Sequence, residues 1–135
     1  MNAVDTNVLI YAHDPRDPVK QSKAVALIAA LTDGVLLWQV AYEYVAASRK
    51  LAAFGLSPQQ AFADLQRLRG VWQAAFPTWA VLDQAEMLMS SGNLSFWDAM
   101  IVAACVENNV TRLYSEDFDN STTMLTSVAI VNPFI

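Results

Sequence analysis

The chain is poor in the residues from which many sites are built. Among 135 residues there is one cysteine, Cys105, and one histidine, His13. A single cysteine excludes a disulfide framework and any cysteine-built zinc cluster. A single histidine excludes a two-histidine acid–base ribonuclease within one chain. Four widely spaced glycines leave no Gly-rich phosphate loop, and no lysine follows Lys50. The longest apolar runs, 24–31 and 99–106, are eight residues each, against about 20 for a membrane span. Met1 to Asp5 carries no basic stretch, so no signal peptide is expected. These absences predict a reduced, cytoplasmic protein without a membrane partner.

What is present is apolar. Hydrophobic residues make up 55% of the sequence, including four Trp, six Phe and four Tyr. With a mean hydropathy of +0.29, that is too much for a disordered chain. The length predicts a single domain over 1–135, burying about 68% of its unfolded surface. The net charge of −5 argues against a purely electrostatic nucleic-acid binder. The charge is asymmetric. Residues 1–69 hold seven bases and six acids, whereas 70–135 hold seven acids and only Arg112.

Strand and helix signals alternate. Residues 3–4 and 35–38 read as short buried strands, and the apolar stretch 8–11 closes on a turn at Asp14-Pro15. Residues 19–31 and 40–54 read as helices, the second ending at Gly55. Ser57-Pro58-Gln59-Gln60 is a capping-box start for a helix to about Trp72. Residues 78–81 read as a third strand, 83–91 as a helix ended by Gly92, and Ser95 starts a helix through about Asn108. Residues 112–115 and 128–131 supply the fourth and fifth strands. Alternation of this kind predicts a mainly parallel, five-stranded sheet covered on both faces.

Ligands of open parallel sheets bind beyond the carboxyl ends of the strands. Asp5 ends the first strand, and Asp117 and Asp119 follow the fourth. Asp98 lies in the first turn of the Ser95 helix, and Glu43 early in the helix after the second strand. Each has a purely structural reading. Asp5 can cap a turn, Asp98 can complete an acidic capping box, and Asp117 and Asp119 can be solvated loop residues. Glu43 shares a helical face with Val40, Tyr44, Ala47 and Leu51, where an unpaired carboxylate is uncommon. As a cluster, two carboxylates ~6 Å apart repel by roughly 3 kcal/mol at an effective dielectric near 20, and four approach ~15 kcal/mol. That rivals the stability of a domain, so such a cluster takes up protons or binds a hard cation. Oxygen-only ligands select Mg²⁺ or Mn²⁺. Such a cation activates a water and steadies charge on a phosphate oxygen, pointing to phosphodiester hydrolysis. Cys105, inside an apolar run, reads as core, and His13 as an exposed loop residue.

Five segments in this order carry a resemblance: Val4-Asp5-Thr6-Asn7-Val8-Leu9; Gln39-Val40 with Glu43 and Arg49-Lys50; Ser95-Phe96-Trp97-Asp98-Ala99-Met100-Ile101; Leu113-Tyr114-Ser115-Glu116-Asp117-Phe118; and Ile130-Val131-Asn132-Pro133-Phe134. The sequence resembles the PIN domain, and within it the VapC-type toxins of prokaryotic toxin–antitoxin pairs. The resemblance implies a three-layer α/β/α fold and a Mg²⁺- or Mn²⁺-dependent endoribonuclease. It implies Asp5, Glu43, Asp98 and Asp117 as catalytic, metal-binding acids, with Asp5 and Asp98 as primary ligands. Thr6, Asn7 and Ser115 would support them. It also implies a homodimer and a small VapB-like antitoxin. One departure is the absence of a glycine in 118–123, which leaves Asp117 and Asp119 both open as the fourth acid.

RNA approaching an acidic pocket needs basic side chains, and Lys20, Lys23, Arg49, Lys50, Arg67 and Arg69 are the candidates, each also readable as a solvated helix face. Trp97 can stack on a base or pack in a core or dimer interface. Tyr42, Tyr44, Phe54, Phe62 and Trp72 suit an antitoxin groove or a plain helix–helix core. The rival readings are a catalytically silent PIN-like binding module and a small acid-pocket phosphatase or phosphoacceptor domain. The latter lacks both a second aspartate in Asp5-Thr6-Asn7 and a late lysine.

Overall fold

Asp5 ends one strand and starts one helix, and the rest of the architecture is arranged around that junction. The computed structural model describes residues 1–92, 94–118 and 122–135. Strand β1 (Asn2–Val4) leads through α1 (Thr6–Tyr11) and α2 (Pro18–Ala30) to β2 (Val35–Leu37). Helix α3 (Trp38–Ser48) follows at once, continued by a 3-10 turn (Arg49–Phe54) and α4 (Pro58–Arg69). Then come β3 (Gln73–Ala75), α5 (Trp79–Ser91), α6 (Phe96–Glu107), β4 (Arg112–Tyr114), β5 (Thr122–Leu125) and β6 (Val128–Val131).

Four strands form a sheet in the order β1-β4-β6-β5, and β2 and β3 form a parallel pair. A parallel bridge between Asn2 and Gly34 joins the two. Only the β5–β6 hairpin is antiparallel. The mixed α/β fold with a mostly parallel sheet is therefore as predicted. The strand count is not: among the described residues, six strands in a four-plus-two arrangement replace the expected five. The expected strand at 78–81 is the start of α5, because the Thr78 side chain accepts a hydrogen bond from the Val81 amide and caps a helix. The strand there is Gln73–Ala75 instead, an edge strand exposed at Gln73 and Ala74 and so without an apolar signature. Elsewhere the capping signals act as read. Ser57 accepts from the Gln60 amide, Ser95 from the Asp98 amide, and Gly55 closes the 3-10 turn with φ +93°.

The core runs from Val4 and Val8 through Leu37, Val40 and Tyr44 to Val102, Leu113 and Ile130. Cys105 is fully buried within it, and burial pushes its thiol pKa up, so it is an inert core residue. Helix α1 packs on α2 and α3, and α3 on α4; α5 packs on α6, which lies against β2, β4 and β6. Among the described residues no helix is long and apolar enough to cross a membrane.

Candidate active site

The chain runs outward from β1 to β2 and β3, then returns to place β4 on the other side of β1. The strand order thus reverses between β1 and β4, and the carboxyl ends of these two strands flank the crevice where open sheets bind ligands. Val4 and Tyr114 pair in register, and the Asp5 amide donates to the Tyr114 carbonyl at 2.8 Å. This register sets Asp5 directly beside Ser115. The Ser115 hydroxyl donates to Asp5 Oδ2 at 2.7 Å, and the Thr6 amide donates to Oδ1 at 2.7 Å. Asp5 is thus an N-cap, as its structural reading expected, while it also faces the crevice.

Its surroundings oppose its charge. Asp5 is only 3% exposed, and burial pushes its pKa up to about 6. The two hydrogen bonds pull the other way, and the charges of Asp117 and Glu43 add to the rise. Asp98, half-buried in the first turn of α6, is also raised, first by burial and then by Asp117 and Glu43, against the lowering effect of Ser95. The charges of Glu43 and Asp117 thus reach both Asp5 and Asp98.

Glu43 is held on both oxygens. Thr6 Oγ1 donates to Oε2 and Gln39 Nε2 donates to Oε1, each at 2.9 Å. Gln39 also reaches the Trp97 carbonyl at 3.3 Å, tying α3 to the turn that presents Asp98. Gln39 is a site-building residue that the sequence reading gave no role; its i, i+4 spacing from Glu43 on α3 was the available signal. Asp117 is exposed, and its amide donates to Ser115 Oγ at 3.1 Å. Asp119 lies outside the described residues. Asn7 Nδ2 approaches Ser115 Oγ at 3.4 Å, and its buried Oδ1 has no protein partner.

The donor chemistry fits a hard divalent cation: oxygens only, mutually repelling, with the free acceptor of Asn7 nearby. Among the described residues, however, no three acidic, His or Cys side chains stand together as a ready cage. Asp5, Asp98, Glu43 and Asp117 would then hold a cation through few direct contacts and leave it several waters, as Mg²⁺ prefers.

The basic candidates divide. Lys20 pairs with Glu116 at 2.8 Å and Arg67 with Asp64 at 2.7 Å, whereas Arg49, Lys50 and Arg69 are exposed. His13 is not a free loop residue, since its Nε2 contacts Asp64 at 2.9 Å. Trp97 is 57% exposed, so it is not core. Of the proposed groove aromatics, Tyr44 and Trp72 are buried and Tyr42, Phe54 and Phe62 are exposed.

The PIN domain family model matches residues 3–123. No curated protein matches the sequence. Solved structures with the same fold include a toxin–antitoxin complex from Klebsiella pneumoniae, at 16% identity and TM-score 0.71, covering 98% of each chain. Another is VapC20 from Mycobacterium tuberculosis, a sarcin-ricin-loop-cleaving toxin, at 20% identity and TM-score 0.69, covering 88% of this chain and 92% of that one. A third is VapBC-1 from nontypeable Haemophilus influenzae, at 14% identity and TM-score 0.58, covering 86% of both.

Proposed function

The chain belongs to the PIN domain family, and on that premise we propose that it is a Mg²⁺- or Mn²⁺-dependent endoribonuclease, the toxin of a type II toxin–antitoxin pair. The observation that carries the reading is Asp5: a deeply buried carboxylate at the sheet's switch point, raised to about 6 by burial and by the charges of Asp117 and Glu43. A protein gains no stability from such an arrangement, so it fits a site that takes a cation. A divalent cation bound there supplies Lewis-acid polarisation and offsets phosphate charge.

The protein's own part is orientation. Ser115 and the Thr6 amide fix both oxygens of Asp5, and Thr6 and Gln39 fix both oxygens of Glu43. The first turn of α6 presents Asp98, and the bend after β4 presents Asp117 at the solvent side. Two Asp and one Glu, half-buried or exposed, are left to receive a proton from an attacking water and to align an RNA phosphate.

The toxin–antitoxin complexes among the neighbours support a small antitoxin as partner. An apolar cavity of about 430 Å³ between α3, α4 and β3, flanked by Trp38, Tyr42, Phe62 and Phe76, is a surface of the kind an apolar helix fills. The exposed Trp79, Leu82, Met89 and Phe96 of α5 and α6 suit a homodimer contact. The rival, a silent PIN-like binding module, draws on the lack of a ready carboxylate cage.

The deciding experiment is RNA cleavage with Mg²⁺ or Mn²⁺, with and without chelator, for the wild type, Asp5→Asn and Asp98→Asn. Cation-dependent cleavage lost in both variants is expected. Cleavage that survives both substitutions and chelation sinks the site assignment, and RNA binding without cleavage favours the silent module.

A further inference from the structure

Asp117, the one proposed site acid that is exposed, sits on a bend rather than on a helix or strand. Among the described residues its own side chain takes no hydrogen bond that holds that bend. The residue before it does. Both oxygens of Glu116 are engaged: Tyr11 Oη donates to Oε1 at 2.6 Å, and Lys20 Nζ donates to Oε2 at 2.8 Å. Lys20 also donates to Tyr11 Oη at 3.2 Å, which closes a three-membered ring of charge-assisted bonds.

The ring is itself anchored on three sides. Tyr11 is the last residue of α1, whose N-cap is Asp5. Lys20 lies in the first turn of α2, its amide held by Asp17 at 3.0 Å. The Lys20 ammonium sits 4.6 Å from the Tyr11 ring centroid and 5.6 Å from that of Phe134, and the two rings meet edge to face at 5.0 Å. The far end of the α1 helix that begins at Asp5 is thus bonded to the residue next to Asp117. Ser115 on the other side is bonded to Asp5 itself.

We propose that Glu116, gripped by Tyr11 and Lys20, is a positioning residue that sets Asp117 against Asp5 and thereby sets the cation affinity of the crevice. The inference rests on the nuclease reading for its consequence, though not for its geometry. Both oxygens of Glu116 are turned to Tyr11 and Lys20, and the ammonium of Lys20 offsets a fifth negative charge beside the site. Losing the grip frees the bend and misplaces one acid, while Asp5, Glu43 and Asp98 stay bonded as before. Loss of an outer partner of this kind costs about 10–100-fold in metal affinity.

The test compares Glu116→Gln, Lys20→Met, Tyr11→Phe and Lys20→Arg with the wild type. Three readouts are taken: RNA cleavage against Mg²⁺ concentration, Mn²⁺ affinity by calorimetry, and amide hydrogen exchange over residues 115–118. The expected result for Glu116→Gln is about 10-fold more Mg²⁺ for half-maximal cleavage, a near wild-type rate at saturating Mg²⁺, and faster exchange at 115–118. Lys20→Met shares these changes and Lys20→Arg retains the wild-type values. A wild-type Mg²⁺ dependence with wild-type exchange in both Glu116→Gln and Lys20→Met overturns the proposal. So does a loss of activity that excess Mg²⁺ does not restore. If the wild type cleaves no RNA, the nuclease reading fails by itself, and Mn²⁺ affinity together with exchange at 115–118 decides the grip. If Glu116→Gln does not fold, Tyr11→Phe, which removes one hydroxyl, replaces it.

Discussion

At Asp5 the carboxylate accepts hydrogen bonds from Thr6 and Ser115, yet burial and two neighbouring charges still hold its pKa near 6. The folded protein therefore binds a proton there more readily than the unfolded chain, whose carboxyl titrates near 3.8. Above pH 6 the ionised form costs stability, and that cost disappears as pH falls from 6 toward 3.8. Two pH units correspond to about 3 kcal/mol. Asp5→Asn should therefore be more stable than the wild type by up to about 3 kcal/mol at pH 7.5 in metal-free buffer, with no advantage at pH 4. Urea unfolding at the two pH values measures this, and a variant less stable than wild type at pH 7.5 contradicts it. The identity of this residue was legible because Asp5 follows an apolar strand; its burial was not, because that depends on β4 pairing across 110 residues of chain. Half of the role of Gln39 was legible in its i, i+4 spacing from Glu43; its second partner, Trp97, lies 58 residues away on α6 and was not.

Helices α3 and α4 and the turn after α1 are joined at Asp64, a carboxylate only 7% exposed. Its Oδ2 takes the Tyr44 hydroxyl at 2.7 Å and contacts His13 Nε2 at 2.9 Å, and its Oδ1 takes Arg67 at 2.7 Å. Asp64→Ala leaves the buried Tyr44 hydroxyl unpartnered, which costs about 1–3 kcal/mol. Urea midpoints should fall accordingly for Asp64→Ala, and Tyr44→Phe should remove most of the further cost when added to it, because both partners are then gone. Full additivity of the two substitutions would contradict the coupling. At this scale, elements with caps and 3.6-residue periodicity were legible, including α4 from Ser57 and α6 from Ser95. Elements lacking such signals were not. Strand β3 is Gln-Ala-Ala with no β-branched or large apolar residue, and β5 was missed beside the correctly read β6 because their hairpin turns through Thr126 at φ +57°, where no glycine or asparagine marks the turn. Gly34 is required by tertiary packing: a Cβ there would lie 2.5 Å from the Trp72 ring, where β1 and β2 meet.

Over the whole molecule the net charge is −5, and without the four proposed site acids it is −1. The basic residues are partly spent inside the fold: Arg16 on Asp14, Lys20 on Glu116 and Arg67 on Asp64. Among the described residues, Lys23, Arg49, Lys50, Arg69 and Arg112 remain outside ion pairs. At about 0.7 per phosphate contact on single strands, five such residues limit the salt dependence of RNA affinity to a log–log slope no steeper than about −3.5. Titrating RNA into Asp98→Asn at several salt concentrations measures the slope, and a steeper one means that the internal pairs open on binding. Composition and the alternation of strand and helix signals determined the class: an apolar α/β fold without a disulfide framework, zinc cysteines or a phosphate loop. The ordered acids determined the chemistry to look for, because side-chain type is carried residue by residue. Only the tertiary structure decided which acid is buried, which bases are already paired, and which atoms Gln39, Ser115 and Glu116 bond. The decisive contacts, Ser115 on Asp5 and Lys20 on Glu116, join residues about a hundred positions apart, set by strand register and helix packing, and no local pattern encodes them.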